Sequence, residues 1–214
     1  MRRLGPVIGR AAGFMVLAVW PTVIAAANGV VALQTADPAC PDESGNVYVD
    51  CGNGTVTDNR TGLVWLQDAD CYGTATWGRA MDLVAGLSDL PESLNEDCQD
   101  LSDPNDTCDC NLTDGSSPGE WRIPSIDEWH EMTAAAVAMG CVGDDGPSIT
   151  SDDGLDCWSE TDSFTGIQPF PYWSASPYSP DSLKGFAKDL DDGSADSWSA
   201  TIWGLYVWPV RDGQ

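Results

Sequence analysis

"WRIPSIDEW", residues 121 to 129, is the stretch from which the rest of the chain can be laid out. Ser125 followed three residues later by Glu128 is an S-x-x-E capping box, in which each side chain satisfies a backbone N–H that the first helical turn leaves open. Asp127 adds a carboxylate near the positive end of the helix dipole, and Pro124 stands directly ahead. Ile126, Trp129, Met132, Ala136 and Val137 then recur on roughly one face, and Gly140 supplies a left-handed stop. The stretch therefore predicts a sharply started amphipathic helix ending near residue 139. His130, the single histidine of the chain, lies within it. As a general acid or base it would work beside Glu131 or Asp127. The apolar positions lie on another face, however, which turns it to solvent, and no serine stands in a nucleophile-elbow pattern.

Upstream, "CGNGTVTDNRTGLVWLQDA", residues 51 to 69, reads as a strand, a turn over Asp58 to Gly62, and a second strand Leu63 to Leu66. Trp77, Ala80, Met81, Val84 and Leu87 give a first helix from about Trp77 to Ser88, with Thr76 as N-cap and Pro91 beyond its end. Residues 91–119 lack periodicity and read as a long loop pinned by cysteines. A second irregular stretch runs from Cys141 to Pro171. Three strand-like pieces close the chain, Tyr172 to Ser176, Gly185 to Leu190 and Leu205 to Arg211, the last two separated by an acidic loop, Asp191 to Trp203. This order is α+β, with two helices beside a small antiparallel sheet that joins N- and C-terminal strands.

Arg2, Arg3 and Arg10 precede the apolar run Ala11 to Val19, and Ala25-Ala26-Ala27 offers a small-residue cleavage site, so residues 1–27 read as a secretory signal. The remainder is organised as an N-terminal extension, 28–53, and one domain, 54–214, with insertions at about 91–119 and 141–171. Export places the protein in the periplasm, on the cell surface or outside the cell, with no stable membrane insertion after cleavage. All eight cysteines fall in the exported part, which favours disulfides in an oxidising compartment. Proximity suggests Cys40 with Cys51 and Cys141 with Cys157, leaving Cys71, Cys98, Cys108 and Cys110 around the first insertion. A metal site on Cys108-Asp109-Cys110 lacks the second cysteine pair or the histidines that zinc takes. With Arg2, Arg3 and Arg10 removed, six basic residues face 34 acidic ones. Such a surface repels phosphate backbones and anionic glycans, which argues against nucleic acid and for divalent cations or cationic partners. Nine tryptophans from Trp65 to Trp208 argue against disorder, since each must be packed or used as a contact surface.

"VTDNRTGLVWLQDA", "TWGRAMDLVAGL", "WRIPSIDEW", "YWSASPY" and "YVWPVR" resemble, in order and spacing, the Lcl C-terminal domain family, named after a bacterial collagen-like adhesin. The resemblance spans about Gly54 to Arg211 with the cysteine-rich loops as insertions. It implies a C-type-lectin-like fold whose long loops form the binding face. The adhesin domain of that family is associated with sulfated glycans and trimers, but so acidic a surface is a poor receptor for sulfate, and the oligomeric state stays open. "WRIPSIDEW" also resembles a block of the formylglycine-generating, sulfatase-modifying enzymes. Their oxidase chemistry needs a reactive cysteine pair near the C-terminal end, whereas the last cysteine here is Cys157.

Within the blocks, Trp65, Trp121, Arg122, Pro124, Ser125, Glu128 and Trp173 read as structural, with Arg122 in an ion pair or clamping a carbonyl; Trp77 and Trp129 also read as core. Calcium is the metal chemistry that dense carboxylates allow, with Asp189, Asp191 and Asp192, or Asp152, Asp153 and Asp156, as candidate ligands. "DLDDGSADS", residues 189 to 197, nevertheless fails the EF-hand pattern because Gly193 comes one residue early and Ala200 occupies the twelfth position. Paired carboxylates for glycoside hydrolysis are uninformative in a chain with 34 acids. Trp158, Trp198 and Trp203 fall in loops, where an indole can stack on a sugar or a partner, with Asp191, Asp192 and Asp196 as polar contacts. The sequence thus points to an exported, non-catalytic recognition or adhesion module for a glycan or protein. An enzyme related to the sulfatase-modifying oxidases, an acid-based hydrolase and a structural surface protein are the alternatives.

Overall fold

The computed structural model describes residues 39–40, 45–89 and 110–213. The leader read over residues 1–27, most of the 28–53 segment, most of the first insertion, Cys98 and Cys108 lie outside them. In chain order the elements are β1 (Tyr48–Asp50), β2 (Thr55–Asp58), β3 (Leu63–Leu66), β4 (Thr74–Ala75), α1 (Trp77–Gly86), α2 (Ile126–Met139), a 3-10 turn (Gly143–Asp145), β5 (Pro171–Pro177), β6 (Lys184–Asp189), β7 (Ala195–Ser199), β8 (Leu205–Tyr206) and β9 (Val210–Asp212). The class is α+β, with two α-helices among the described residues.

Two sheets form instead of the one expected. The first runs β1-β2-β3-β9, antiparallel throughout, and joins the early strands to the end of the chain. Its centre is the β2–β3 pair, whose strand residues are all buried. The outer strand β1 comes from the 28–53 segment and is tied down by bonds from the Val47 and Tyr48 N–H groups to the Asp152 carbonyl. The second sheet runs β4-β8-β5-β6-β7, antiparallel except for the parallel β5–β8 contact.

The piece expected as one strand from Leu205 to Arg211 is split, because Val207 to Pro209 carries the chain from the second sheet to the first. Pro209 has no N–H to give a ladder, and Trp208 turns wholly inward, its Nε1 donating to the Leu66 carbonyl at 2.7 Å. Trp208 packs at 5.4 Å and 5.8 Å from the rings of Trp65 and Trp129, with Tyr172 at 5.8 Å. These four rings bind both sheets and α2 into one core.

The capping box is present in full: Ser125 Oγ accepts from Glu128 N, and Glu128 Oε2 accepts from Ser125 N at 2.7 Å. Gly140 ends α2 at φ 90°, a conformation that disfavours side chains with a Cβ. Trp129, Met132 and Ala136 face the core, but Val137 is exposed. Its methyls lie over the β6–β7 turn instead, beside Gly193. Helix α1 is shorter than expected: Leu87 adopts extended backbone and is itself buried, so the chain leaves the helix to place that side chain in the core. Thr76 precedes α1 without a side-chain cap.

Disulfides join Cys40 to Cys51, Cys71 to Cys110 and Cys141 to Cys157. The second fastens the end of the first insertion beside the β2–β3 hairpin. There Gly54 is required, because a Cβ on it would stand 2.7 Å from the Asn111 carbonyl oxygen. No helix among the described residues is long and apolar enough to cross a membrane.

Candidate functional site

The segment expected as one acidic loop from Asp191 to Trp203 contains strand β7. Pairing of Lys188 with Ala195 through Lys184 with Ser199 makes β6 and β7 an antiparallel hairpin, and it separates residues that the sequence placed together. Alternation puts Trp198 opposite Gly185 and Asp196 opposite Ala187 on one face. Gly185 leaves room there for Trp77, whose indole Nε1 donates to the Ser174 carbonyl at 2.7 Å.

Beyond the end of β7 the chain turns, and Trp203 meets Trp198 edge-to-face at 5.8 Å, an arrangement that suits the ring quadrupoles. Trp203 is 52% exposed, and its neighbour Ile202 is 74% exposed. Leu183, 67% exposed, joins the same end of the hairpin through its carbonyl, which accepts from Ala200 N at 2.9 Å. Trp77 N donates to the Ala200 carbonyl and ties this corner to the start of α1. The result is an apolar patch of Leu183, Trp198, Ile202 and Trp203 at the corner of the second sheet.

Asp191 and Asp192 sit at the other end of the hairpin, a full strand length away, about 13 Å by the strand rise. Their turn is closed from within: Asp189 Oδ1 accepts from Asp191 N, Asp192 Oδ1 from Ser194 N, and the Gly193 carbonyl from Lys188 Nζ. Burial raises the Asp189 carboxyl above the usual range, and the neighbouring aspartates add to this. The bonds from Ser194 hold Asp192 below it. Burial lowers the Lys188 ammonium, while Asp192 acts in the opposite direction.

The second carboxylate group is also occupied by its own loop. Asp152 accepts from Ser163 N and Oγ, and Asp162 accepts from Asp152 N and Ser159 N. Asp153 accepts from Ser151 Oγ and Leu155 N. Burial raises the Asp152 carboxyl, the hydrogen bonds from Ser163 oppose it, and Asp162 and Asp50 raise it further. These side chains line an open depression of about 350 Å³. Among the described residues no group of three or more His, Cys, Asp or Glu side chains is arranged to hold a metal ion.

Trp158 differs from its expected exposure: it is half-buried against the core, and its indole N–H donates to the Phe164 carbonyl at 3.1 Å. Of the three loop tryptophans, the structure brings together only Trp198 and Trp203. His130 is exposed on α2. Trp65, Trp121, Trp129 and Trp173 are buried, whereas Trp77 is partly buried. Arg122 is bidentate to Glu128 at 2.7 and 2.8 Å and also meets Asp212 at 2.8 Å. It thereby links the capping box to β9, and its own backbone pairs with Val210.

The sequence reading missed one buried ion pair. Arg211 Nε and Nη2 both stand 3.1 Å from Asp114 Oδ2. The guanidinium lies over the Trp121 ring, 5.4 Å from its centroid. Asp114 Oδ1 also accepts from Ser116 N, and Ser116 Oγ accepts from Trp121 Nε1. A lone basic residue inside an apolar strand, Arg211 in "VWPVR", was the available signal, since such a charge requires a buried acceptor.

The family model described as the Lcl C-terminal domain matches residues 54–211, well over half of the chain. No curated protein matches it.

Proposed function

This chain belongs to the Lcl C-terminal domain family, and from that premise we propose that it is an exported, non-catalytic recognition or adhesion module of C-type-lectin-like fold. The sheet joining β1, β2 and β3 to β9, with both helices between, supports that reading of the fold. The three disulfides among the described residues support an oxidising location.

The observation that carries the function is the Trp198–Trp203 pair with Ile202 and Leu183 beside it. A protein that spends an indole and two large aliphatic side chains on solvent at one corner has a surface suited to a ring or an apolar side chain of a partner. The surplus of acidic residues selects the partner's charge: a neutral glycan or a basic protein surface fits, and a sulfated one is repelled. The Asp152 and Asp189 groups act in this reading as acceptors that hold their loops.

The test is a binding screen of the full chain against immobilised neutral glycans, sulfated glycans and basic peptides, repeated with Trp198→Ala and Trp203→Ala. Binding to a neutral or basic probe that both variants weaken supports the proposal. Binding that neither variant changes refutes the proposed face.

A further inference from the structure

The open edge of β7 beside the tryptophan corner has a definite hydrogen-bonding polarity. Asp189 N donates to the Ser194 carbonyl, and Ala200 N donates to the Leu183 carbonyl. In an antiparallel pair such bonded positions alternate, so Asp196 and Trp198 turn their backbone groups toward β6. Ala195, Ser197 and Ser199 turn theirs outward. The Ser199 carbonyl is taken by Trp203 N at 3.5 Å. Ala195 and Ser197 keep both N–H and C=O directed away from β6, and among the described residues β7 pairs with no other strand. The other end strands differ: β1 carries the bonds from Val47 and Tyr48 to the Asp152 carbonyl, β9 exchanges both backbone bonds of Val210 with Arg122, and β4 has only two residues.

We propose that β7 accepts an extended, basic segment of a partner protein as an added antiparallel strand, with the Trp198–Trp203 corner receiving one of its apolar side chains. This rests on the recognition reading above and specifies its partner class. Charge selects the occupant. Residues 181–199 carry five carboxylates, at Asp181, Asp189, Asp191, Asp192 and Asp196, against the ammonium groups of Lys184 and Lys188. A second copy pairing edge to edge would bring together two hairpins that each carry this surplus of negative charge, which is repulsive. A lysine- or arginine-bearing strand instead finds the carboxylates of the hairpin turn and that of Asp196 on β7. Main-chain bonds would supply affinity, and the apolar corner would supply register.

The test measures fluorescence polarisation of a labelled eight-residue peptide alternating lysine with valine and threonine against the full chain. The same peptide with glutamate for lysine serves as the comparison. Ser197→Pro removes an outward-facing N–H without removing a bond to β6, and Ser197→Ala controls for the lost hydroxyl. The proposal expects the lysine peptide to bind at least tenfold more tightly than the glutamate peptide. It also expects Ser197→Pro to weaken that binding at least tenfold at unchanged thermal stability, and Ser197→Ala to leave it within twofold. If Ser197→Pro unfolds the chain, a lysine peptide N-methylated at alternate positions, which cannot complete the ladder, must show the same loss. Equal binding of both peptides, or binding that neither Ser197→Pro nor N-methylation weakens, overturns strand addition. If Trp203→Ala abolishes binding while Ser197→Pro and N-methylation both leave it unchanged, strand addition falls and the recognition face stands.

Discussion

Asp114→Ala removes the carboxylate from a charge pair that is almost completely shielded, with side chains 0% and 2% exposed for Asp114 and Arg211. Desolvating a guanidinium is tolerable when a carboxylate faces it, and here two contacts at 3.1 Å go to one Asp114 oxygen, beside a longer bond of 3.4 Å from Nη1 to the Asp212 carbonyl. Without that oxygen the Arg211 charge stays fixed over Trp121 by the β3–β9 register, which pairs Arg211 with Val64. Breaking a buried pair from one side costs about 3–5 kcal/mol, a large share of a total stability of about 5–15 kcal/mol. The loss of the Ser116 N–H bond adds about 1 kcal/mol. Urea unfolding of the oxidised protein, followed by tryptophan emission, measures the change. The double variant Asp114→Leu with Arg211→Met should recover most of it, because an apolar replacement of a buried pair is close to neutral. A cost below about 1 kcal/mol for Asp114→Ala, the value of an exposed ion pair, would refute the reasoning.

Three further outcomes follow from the packing. Burial alone would raise the Glu128 carboxyl, but bonds from Arg122 and Ser125 outweigh it and hold the group below its ordinary 4.5. The stabilisation is therefore complete above that value and lost as pH falls through the depressed one. Glu128→Gln should flatten the acid limb of the melting temperature against pH; an unchanged limb counts against the cap. Cys141→Ser with Cys157→Ser opens a link spanning 16 residues and should lower the unfolding free energy by about 3 kcal/mol, checked by denaturant titration. Gly185→Val places carbon within about 3.0 Å of the Trp77 ring and should cost about 1–3 kcal/mol through overpacking. Circular dichroism melting would show whether that loss occurs.

What the sequence made legible was local. The capping box at Ser125 and Glu128 and the hairpin turn over Asp58 to Gly62 depend on residues three to five apart, and both stand as read. Strand β7 was hidden because "ADSWS" carries one large apolar side chain, Trp198, and none of its positions is fully buried, so no alternation announces it. Its pairing is dictated by β6 and by Gly185 making room for Trp77. The Asp114–Arg211 pair joins residues 97 positions apart, and nothing near Asp114 marks it among 34 acidic residues. The candidate site was legible in part for the same reason. Trp198 and Trp203 are close in sequence and meet, whereas Asp191 and Asp192 are nearly as close to Trp198 but are carried to the far end of the hairpin by the extended backbone of β7.

Equilibrium binding of the Trp203→Ala variant, beside the unaltered chain, to the neutral-glycan and basic-peptide panel tests the central claim most directly. The account predicts at least one neutral or basic probe bound by the unaltered chain, weakened tenfold or more in the variant while the melting temperature stays the same. Binding of that probe with equal affinity by both proteins, or binding confined to sulfated glycans, would contradict it.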